Sequence, residues 1–304
     1  MTKANQIVLN SQDSVAPIGL IAMDSAAELG AKIDSYLVKW AQEGGINIDS
    51  YRIETHCPRF SSGDGKGLIK SSIRGDDIYI LVDVGNYNCK YQMFGKENSM
   101  SPDDHFQDLK RIIQAMSGKA HRINVIMPIL YGGRQHRRNY RESLDCAVAL
   151  QELVAMGVDN IITFDAHDPS ICNAIPRLPF ESFYPTHTIL EELIENEDIK
   201  DLLVISPDMG AMERARYYAD MLGCDVGVFY KRRDLSKVVN GKNPIVEHMY
   251  MGADVNGKEG LVVDDMIASG GSMIEVCSHL KEKGARNIYL IATFALFTEG
   301  VSKF

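Results

Sequence analysis

The chain has 304 residues, 45% hydrophobic and 24% charged, with a net charge of −9. At roughly 100–200 residues per domain this suggests two domains of ordinary globular composition. The acidic balance argues against wholesale binding to nucleic acid or anionic membrane, and no apolar run reaches the roughly 18–20 residues of a membrane span, so any anion site is local.

In chain order, residues 1–14 lack a charged region followed by an apolar one, so no signal peptide is expected. Apolar runs rich in Val and Ile then alternate with helical periodicity. The spacing predicts strands at Ile78–Val84, Ile123–Pro128, Ile161–Asp165, Leu202–Ser206, Val226–Tyr230, Gly260–Asp264 and Asn287–Thr293. Helices are predicted at Phe106–Met116, Ser143–Met156, Met212–Leu222 and Ser272–Lys283. That alternation indicates βαβ units and parallel sheets, an α/β fold. Pro176, Pro179 and Pro185 mark a linker or loop, because proline blocks ladder hydrogen bonds, and divide the chain into 1–180 and 181–304. The six cysteines are scattered without a CxxC pair, which points to a reducing, cytoplasmic setting and to thiols that pack rather than react.

Ligands of open parallel sheets bind beyond the carboxyl ends of strands, so residues just after the apolar runs carry the interest. The strongest signal is Leu261-Val-Val-Asp264-Asp265-Met-Ile-Ala268-Ser269-Gly270-Gly271-Ser272. Two acids end a buried strand, and a Ser-Gly-Gly-Ser segment opens a helix. Glycines permit close backbone approach, and the helix start favours a phosphate. The acids suit sugar hydroxyls, directly or through Mg²⁺. The plainer alternative is a glycine turn with Ser272 as helix cap, which leaves the paired acids unexplained. Lys231 and Arg233 suit developing phosphoryl charge, or else form a solvated basic turn. The stretch Tyr131 to Arg141 carries Arg134, Arg137, Arg138 and Arg141 after two glycines. It reads as a mobile anion trap for a triphosphate, with Tyr131 and Tyr140 near a base; the alternatives are a solvated charge run or an RNA patch. Neither a Walker pattern nor a protein-kinase set is present.

The Asp264–Ser272 segment resembles the PRPP (phosphoribosyl diphosphate) loop shared by ribose-phosphate diphosphokinases and type I phosphoribosyltransferases. The rest of the chain resembles the diphosphokinases: Asp165-Ala-His167, Ser206-Pro-Asp208-Met-Gly210, Lys231-Arg232-Arg233, Arg134-Gln135 and, more weakly, Phe60-Ser-Ser62-Gly63-Asp64, in the family's order. The resemblance implies two similar domains, each a mainly parallel sheet flanked by helices. It implies transfer of the β,γ-diphosphate of Mg-ATP to ribose 5-phosphate, giving PRPP and AMP, in a cytoplasmic homo-oligomer built on dimers, up to a hexamer. By the same resemblance Lys231, Arg233 and His167 are catalytic. Phe60, Ser62, Gly63, Asp64, Arg134, Gln135, Arg137 and His167 hold ATP. Asp208, Asp264, Asp265, Ala268, Ser269, Gly270, Gly271 and Ser272 hold ribose 5-phosphate, and Asp165, His167 and Asp208 bind Mg²⁺. For His167 the plainer reading is a structural strand-end histidine, and for Phe60 a core or interface aromatic. The chain departs from the family at Ala268 and His136, each in place of an aspartate, and at Ser62 and Asp64. A non-catalytic regulatory homologue and a phosphoribosyltransferase are the competing readings.

Overall fold

The computed structural model describes residues 15–196, 199–233 and 245–304, and only the backbone of 231–233 and 245–248. Residues 1–14, where no signal peptide is expected, and residues 234–244 lie outside the described residues. The chain divides into two compact units, one ending at Phe183 and one beginning at Tyr184.

The first unit runs β1 (Ile18–Ala22), α1 (Ala27–Glu43), β2 (Thr55–His56), β3 (Leu68–Ile69), β4 (Asp77–Leu81), β5 (Lys90–Met93), β6 (Lys96–Ser99), α2 (Pro102–Met116), β7 (Arg122–Ile126), α3 (Asp145–Ala155), β8 (Asn160–Phe164) and β9 (Phe180–Phe183). Its main sheet has the order β1-β4-β7-β8-β9, parallel throughout. On the far side of β1 the chain at Tyr51–Ile53 adds a parallel bridge, with Leu20 N–H donating to Tyr51 O and Ile53 N–H to Leu20 O. The strand order therefore reverses between β1 and β4.

Helix α2 shows why the local sequence folds as it does. Ser101 Oγ accepts from Asp104 N–H while the Asp104 carboxylate accepts from Ser101 N–H, and Pro102 fills the first helical position. This box starts the helix four residues before the predicted Phe106, because the polar first turn hides it from an apolar pattern. Phe106, Leu109, Ile112, Ile113 and Met116 then recur at helical spacing and are buried against Ile78, Ile80 and Val125 of the sheet. Burying each such side chain contributes about 1.5–3 kcal/mol.

The second unit runs α4 (Thr186–Asn196), β10 (Leu202–Ser206), α5 (Met212–Leu222), β11 (Val226–Arg233), β12 (Ile245–Met251), β13 (Glu259–Ile267), α6 (Gly271–Glu282) and β14 (Ile288–Ala295). The sheet order is β12-β11-β10-β13-β14, parallel except for the β11–β12 pair. Here the order reverses between β10 and β13. The fold is the two-unit α/β arrangement expected, with several local corrections. The proline-rich linker contains β9, an edge strand beside β8 that begins directly after Pro179, where a missing N–H costs no ladder bond. Strands β11 and β13 run three residues beyond their predicted ends at Tyr230 and Asp264, so Lys231–Arg233 lie on a strand rather than after it and Asp265 falls within one rather than at its end. The helix cap before α6 is Gly270, not Ser272.

Candidate functional site

Within the second unit, β10 and β13 pair from Leu202↔Glu259 to Ile205↔Val262. Their carboxyl ends therefore lie side by side where the strand order reverses, the position at which open α/β sheets bind ligands. Ser206 ends β10 fully buried, and its Oγ donates to Asp208 O at 2.7 Å. Asp208 Oδ1 accepts from Gly210 N–H at 2.8 Å and Ala211 N–H at 3.2 Å, which fixes the carboxylate at the start of α5.

From the neighbouring strand, Asp264 and Asp265 follow Val262 and Val263. Asp265 is buried, and its N–H donates to Asp264 Oδ1 at 2.9 Å. Arg214, from α5, brings Nη1 to 3.7 Å from Asp264 Oδ1. Burial and then the Asp265 carboxyl push Asp264 up to about 7, against the pull of Arg214. Beyond the acids, Gly270 adopts φ 81°, a left-handed conformation that favours glycine, and Gly271 opens α6. The first-turn N–H groups of α6 have no intrahelical acceptors, which makes this end an anion cradle. The loop is stitched to the segment after β14: Leu296 and Phe297 N–H donate to Ile267 O, and Thr298 N–H to Ala268 O. The Phe304 ring lies against Gly270, so closely that a Cβ there would stand 2.3 Å from it. Arg214 and Phe304 had no sequence signal tying them to the loop; only the fold supplies that proximity. Lys231 and Arg233 lie on the last residues of β11, at pairing positions opposite His248 and Ile245, with a register shift just before Arg233.

The remaining candidates belong to the first unit. Asp165 follows β8 with φ 42°, unusual for a non-glycine residue, and its N–H donates to Phe183 O. Its neighbour Ala166 donates to Ser182 Oγ. His167 stands with its ring 5.4 Å from that of His136, whose Nε2 is 3.2 Å from Asp168 Oδ2. A hydrogen bond from Ser170, aided by the two histidines, holds the Asp168 carboxyl below its usual range. His136 Nδ1 is buried without a hydrogen-bond partner. The departure at 136 thus ties the arginine stretch to the segment bearing His167, where an aspartate would face Asp168 with like charge.

Gln135 Nε2 donates to Arg137 O and Ser143 O, closing the arginine stretch on itself and leaving Arg134 and Arg137 exposed. Tyr140 is almost fully exposed, and Tyr131 is half-buried. Its ring stacks on Phe106 at 4.3 Å and its hydroxyl donates to Asp103. The Phe60 turn is closed by Phe60 N–H donating to Asp64 O and Gly63 N–H to Phe60 O, and Ser62 Oγ donates to Asp64 Oδ2. Phe60 is half exposed, with Lys66 Nζ 5.8 Å from its ring centre. Arg59, just before the turn, makes a buried two-pronged ion pair with Asp108 of α2, joined by Arg111. Sequence reading missed that network because its members are 49 residues apart.

All six cysteines are free, and burial pushes Cys57 and Cys146 up to about 12, which fits packing rather than reactivity. Among the described residues no group of three or more His, Cys, Asp or Glu side chains is placed to hold a metal ion, and no helix is long and apolar enough to cross a membrane.

Two α/β halves, with paired acids and a glycine-opened helix where the strand order reverses, define a protein of the phosphoribosyltransferase type. Residues 18–157 match the N-terminal domain of ribose phosphate pyrophosphokinase, and residues 186–300 match the phosphoribosyl transferase domain. The chain is 30% identical over 250 residues to the ribose-phosphate pyrophosphokinase of Vibrio cholerae, covering 81% of this chain and 72% of that one. Against the enzyme of the same name from Chlorobaculum tepidum the identity is 30% over 285 residues, covering 93% and 77%. The crystal structure of phosphoribosylpyrophosphate synthetase from Mycobacterium smegmatis shares the fold, with a TM-score of 0.73 at 23% identity over 92% of this chain and 82% of that one. The chain belongs to the ribose-phosphate pyrophosphokinase family.

Proposed function

We propose that the chain transfers the β,γ-diphosphate of Mg-ATP to the anomeric hydroxyl of ribose 5-phosphate, releasing AMP and PRPP. The observation that carries this reading is the Asp264–Ser272 segment at the strand-order reversal of a chain that matches both halves of the family. The hydroxyl oxygen attacks the β-phosphorus, the bond from that phosphorus to the α,β-bridging oxygen breaks, and the hydroxyl proton is released. Such a transfer depends on positioning and charge neutralisation more than on covalent help from the protein.

In this reading Ser269, Gly270, Gly271 and Ser272, with Ala268 lining the loop, hold the 5-phosphate, and Asp264 and Asp265 accept from the ribose hydroxyls. Arg134, Gln135, Arg137 and the turn of Phe60, Ser62, Gly63 and Asp64 serve the nucleotide. Lys231 and Arg233 meet the transferred group. Mg²⁺ would supply neutralisation of phosphate charge, and a hard cation that keeps much of its hydration would ask few ligands of the protein. Asp208, His167 and Asp165 are the protein groups offered to it. The halves 1–180 and 181–304, a dimer-based homo-oligomer and cytoplasmic action complete the reading. The deciding experiment incubates the protein with Mg-ATP and ribose 5-phosphate and follows AMP and PRPP. Formation of both supports the transfer; a regulatory homologue forms neither, and a phosphoribosyltransferase consumes PRPP only with a base.

Two further outcomes are expected. Arg134→Ala raises the KM for ATP about tenfold, the effect of losing one charge-assisted contact, while that for ribose 5-phosphate stays put. Unchanged ATP dependence with lost assembly would move the arginine stretch to an interface.

The second outcome concerns pH. Burial and the neighbouring Asp265 raise Asp264 to about 7, so below that pH its carboxyl keeps a proton and above it the ionised carboxylate accepts from hydroxyls. The KM for ribose 5-phosphate therefore falls as pH rises through about 7. Asp265→Asn removes the like charge and moves that inflection to lower pH. Comparing the two proteins cancels the titration of the sugar phosphate itself, and an inflection that does not move counts against the pair.

A further inference from the structure

Between β4 and α2 the chain forms the β5–β6 hairpin, whose residues are mostly polar and exposed. Its tip grips the Phe60 turn. Phe94 N–H donates to Ser61 O at 2.8 Å. Met93 covers Gly63 so closely that a Cβ on Gly63 would stand 2.6 Å from Met93 Sδ. The Arg59 guanidinium lies over the Tyr91 ring, 5.2 Å from its centre. A cavity of about 410 Å³ is lined by Lys90, Tyr91 and Gln92 of the hairpin together with Asp24, His56 and Arg59. Phe94 and Met93 thus contact the turn directly, and Tyr91 contacts the arginine that leads into it.

Arg59, which leads into the turn, is itself fixed. Arg59 pairs with Asp108 at 2.8 and 2.9 Å, Arg111 reaches the same carboxylate at 2.6 Å, and Gly67 passes so near Arg111 that a Cβ would stand 2.6 Å from its backbone oxygen. The turn Ser61-Ser62-Gly63-Asp64 is small, polar and held at φ 97° at Gly63. Left alone, such a segment samples many conformations, and ordering it on binding costs affinity.

We infer that the β5–β6 hairpin is a positioning element for the nucleotide: Tyr91 and Met93 hold the Phe60–Asp64 turn in its binding geometry before the nucleotide arrives. The inference rests on the assignment of that turn to ATP. Tyr91 and Met93 act through the turn and touch no reacting atom. Their loss falls on ATP affinity alone, because the phosphosugar loop belongs to the other unit.

The test measures kcat and both KM values for Met93→Ala, Tyr91→Ala, Met93→Leu and Phe60→Ala, with thermal unfolding midpoints to follow folding. Met93→Ala and Tyr91→Ala are expected to raise the KM for ATP about threefold to tenfold, with kcat and the KM for ribose 5-phosphate within about twofold. Met93→Leu, which refills the space over Gly63, is expected to recover the original value. Raised ATP KM in Phe60→Ala with none in the two hairpin variants overturns the hairpin inference and leaves the nucleotide assignment standing. Unchanged ATP KM in Phe60→Ala removes that assignment and the inference with it. If kcat and both KM values deteriorate together with the unfolding midpoint, the hairpin is structural and the positioning role is rejected.

Discussion

Lys231→Ala is expected to lower kcat by about 10²–10³, or ~3–4 kcal/mol of barrier, while the KM for ATP changes little. Lys231 lies near the end of β11, two residues before Arg233, on a strand whose last residues extend past the apolar core and pair with β12. The backbone of Lys231 is paired with β12 rather than carried on a loop, which limits the backbone rearrangement asked of it during transfer. A cation that only held ground-state ATP would weaken binding without specifically slowing chemistry, so the split between kcat and KM separates the two roles. Lys231→Arg keeps the charge but trades a compact ammonium for a planar fork, and is expected to recover only part of the rate. Near-normal kcat of Lys231→Ala at saturating ATP and ribose 5-phosphate would remove Lys231 from the chemistry.

The sequence revealed most where an apolar run was bounded by unambiguous residues. β10 and α5 coincide with their predicted spans because Ser206-Pro-Asp208 and Gly223 stop them sharply. β11 and β13 were read short for one reason. The strand readings end at Tyr230 and Asp264, but backbone pairing does not: Met266 still pairs with Phe294 and Ile267 with Ala295. Lys231, Arg232 and Arg233 put charge at the carboxyl end of a strand, and a rule based on apolar runs reads them as following it. The β5–β6 hairpin left almost no signal. Tyr91 and Met93 are its only apolar strand residues and β6 is polar throughout, and its turn places Phe94 and Gly95 at φ 50° and 72°, where asparagine and glycine would have announced it. The paired acids and the glycine loop were legible because local sequence alone builds them. Arg214 beside Asp264, Asp108 beneath Arg59 and Phe304 against Gly270 required the tertiary fold.

Gly270→Ala is expected to raise the KM for ribose 5-phosphate about tenfold or more while leaving that for ATP nearly unchanged. Two physical effects act together. At φ 81° a residue with a Cβ carries roughly 1–2 kcal/mol of backbone strain, and relaxing it turns the peptide planes whose N–H groups open α6 toward the phosphate. The added methyl would also stand 2.3 Å from Phe304 Cζ and 2.5 Å from Cε2, so the ring or the loop must move. The two effects separate in the double variant Gly270→Ala/Phe304→Ala, which frees the space but keeps the strain. If backbone conformation governs phosphate binding, the double variant remains as poor as Gly270→Ala alone. If it recovers, steric displacement by the ring was the cause, and the loop tolerates a side chain at 270. A KM for ribose 5-phosphate within about twofold of the original in Gly270→Ala itself would show that this loop does not cradle the sugar phosphate, since a glycine at a left-handed helix start cannot be replaced without moving the donors that follow it.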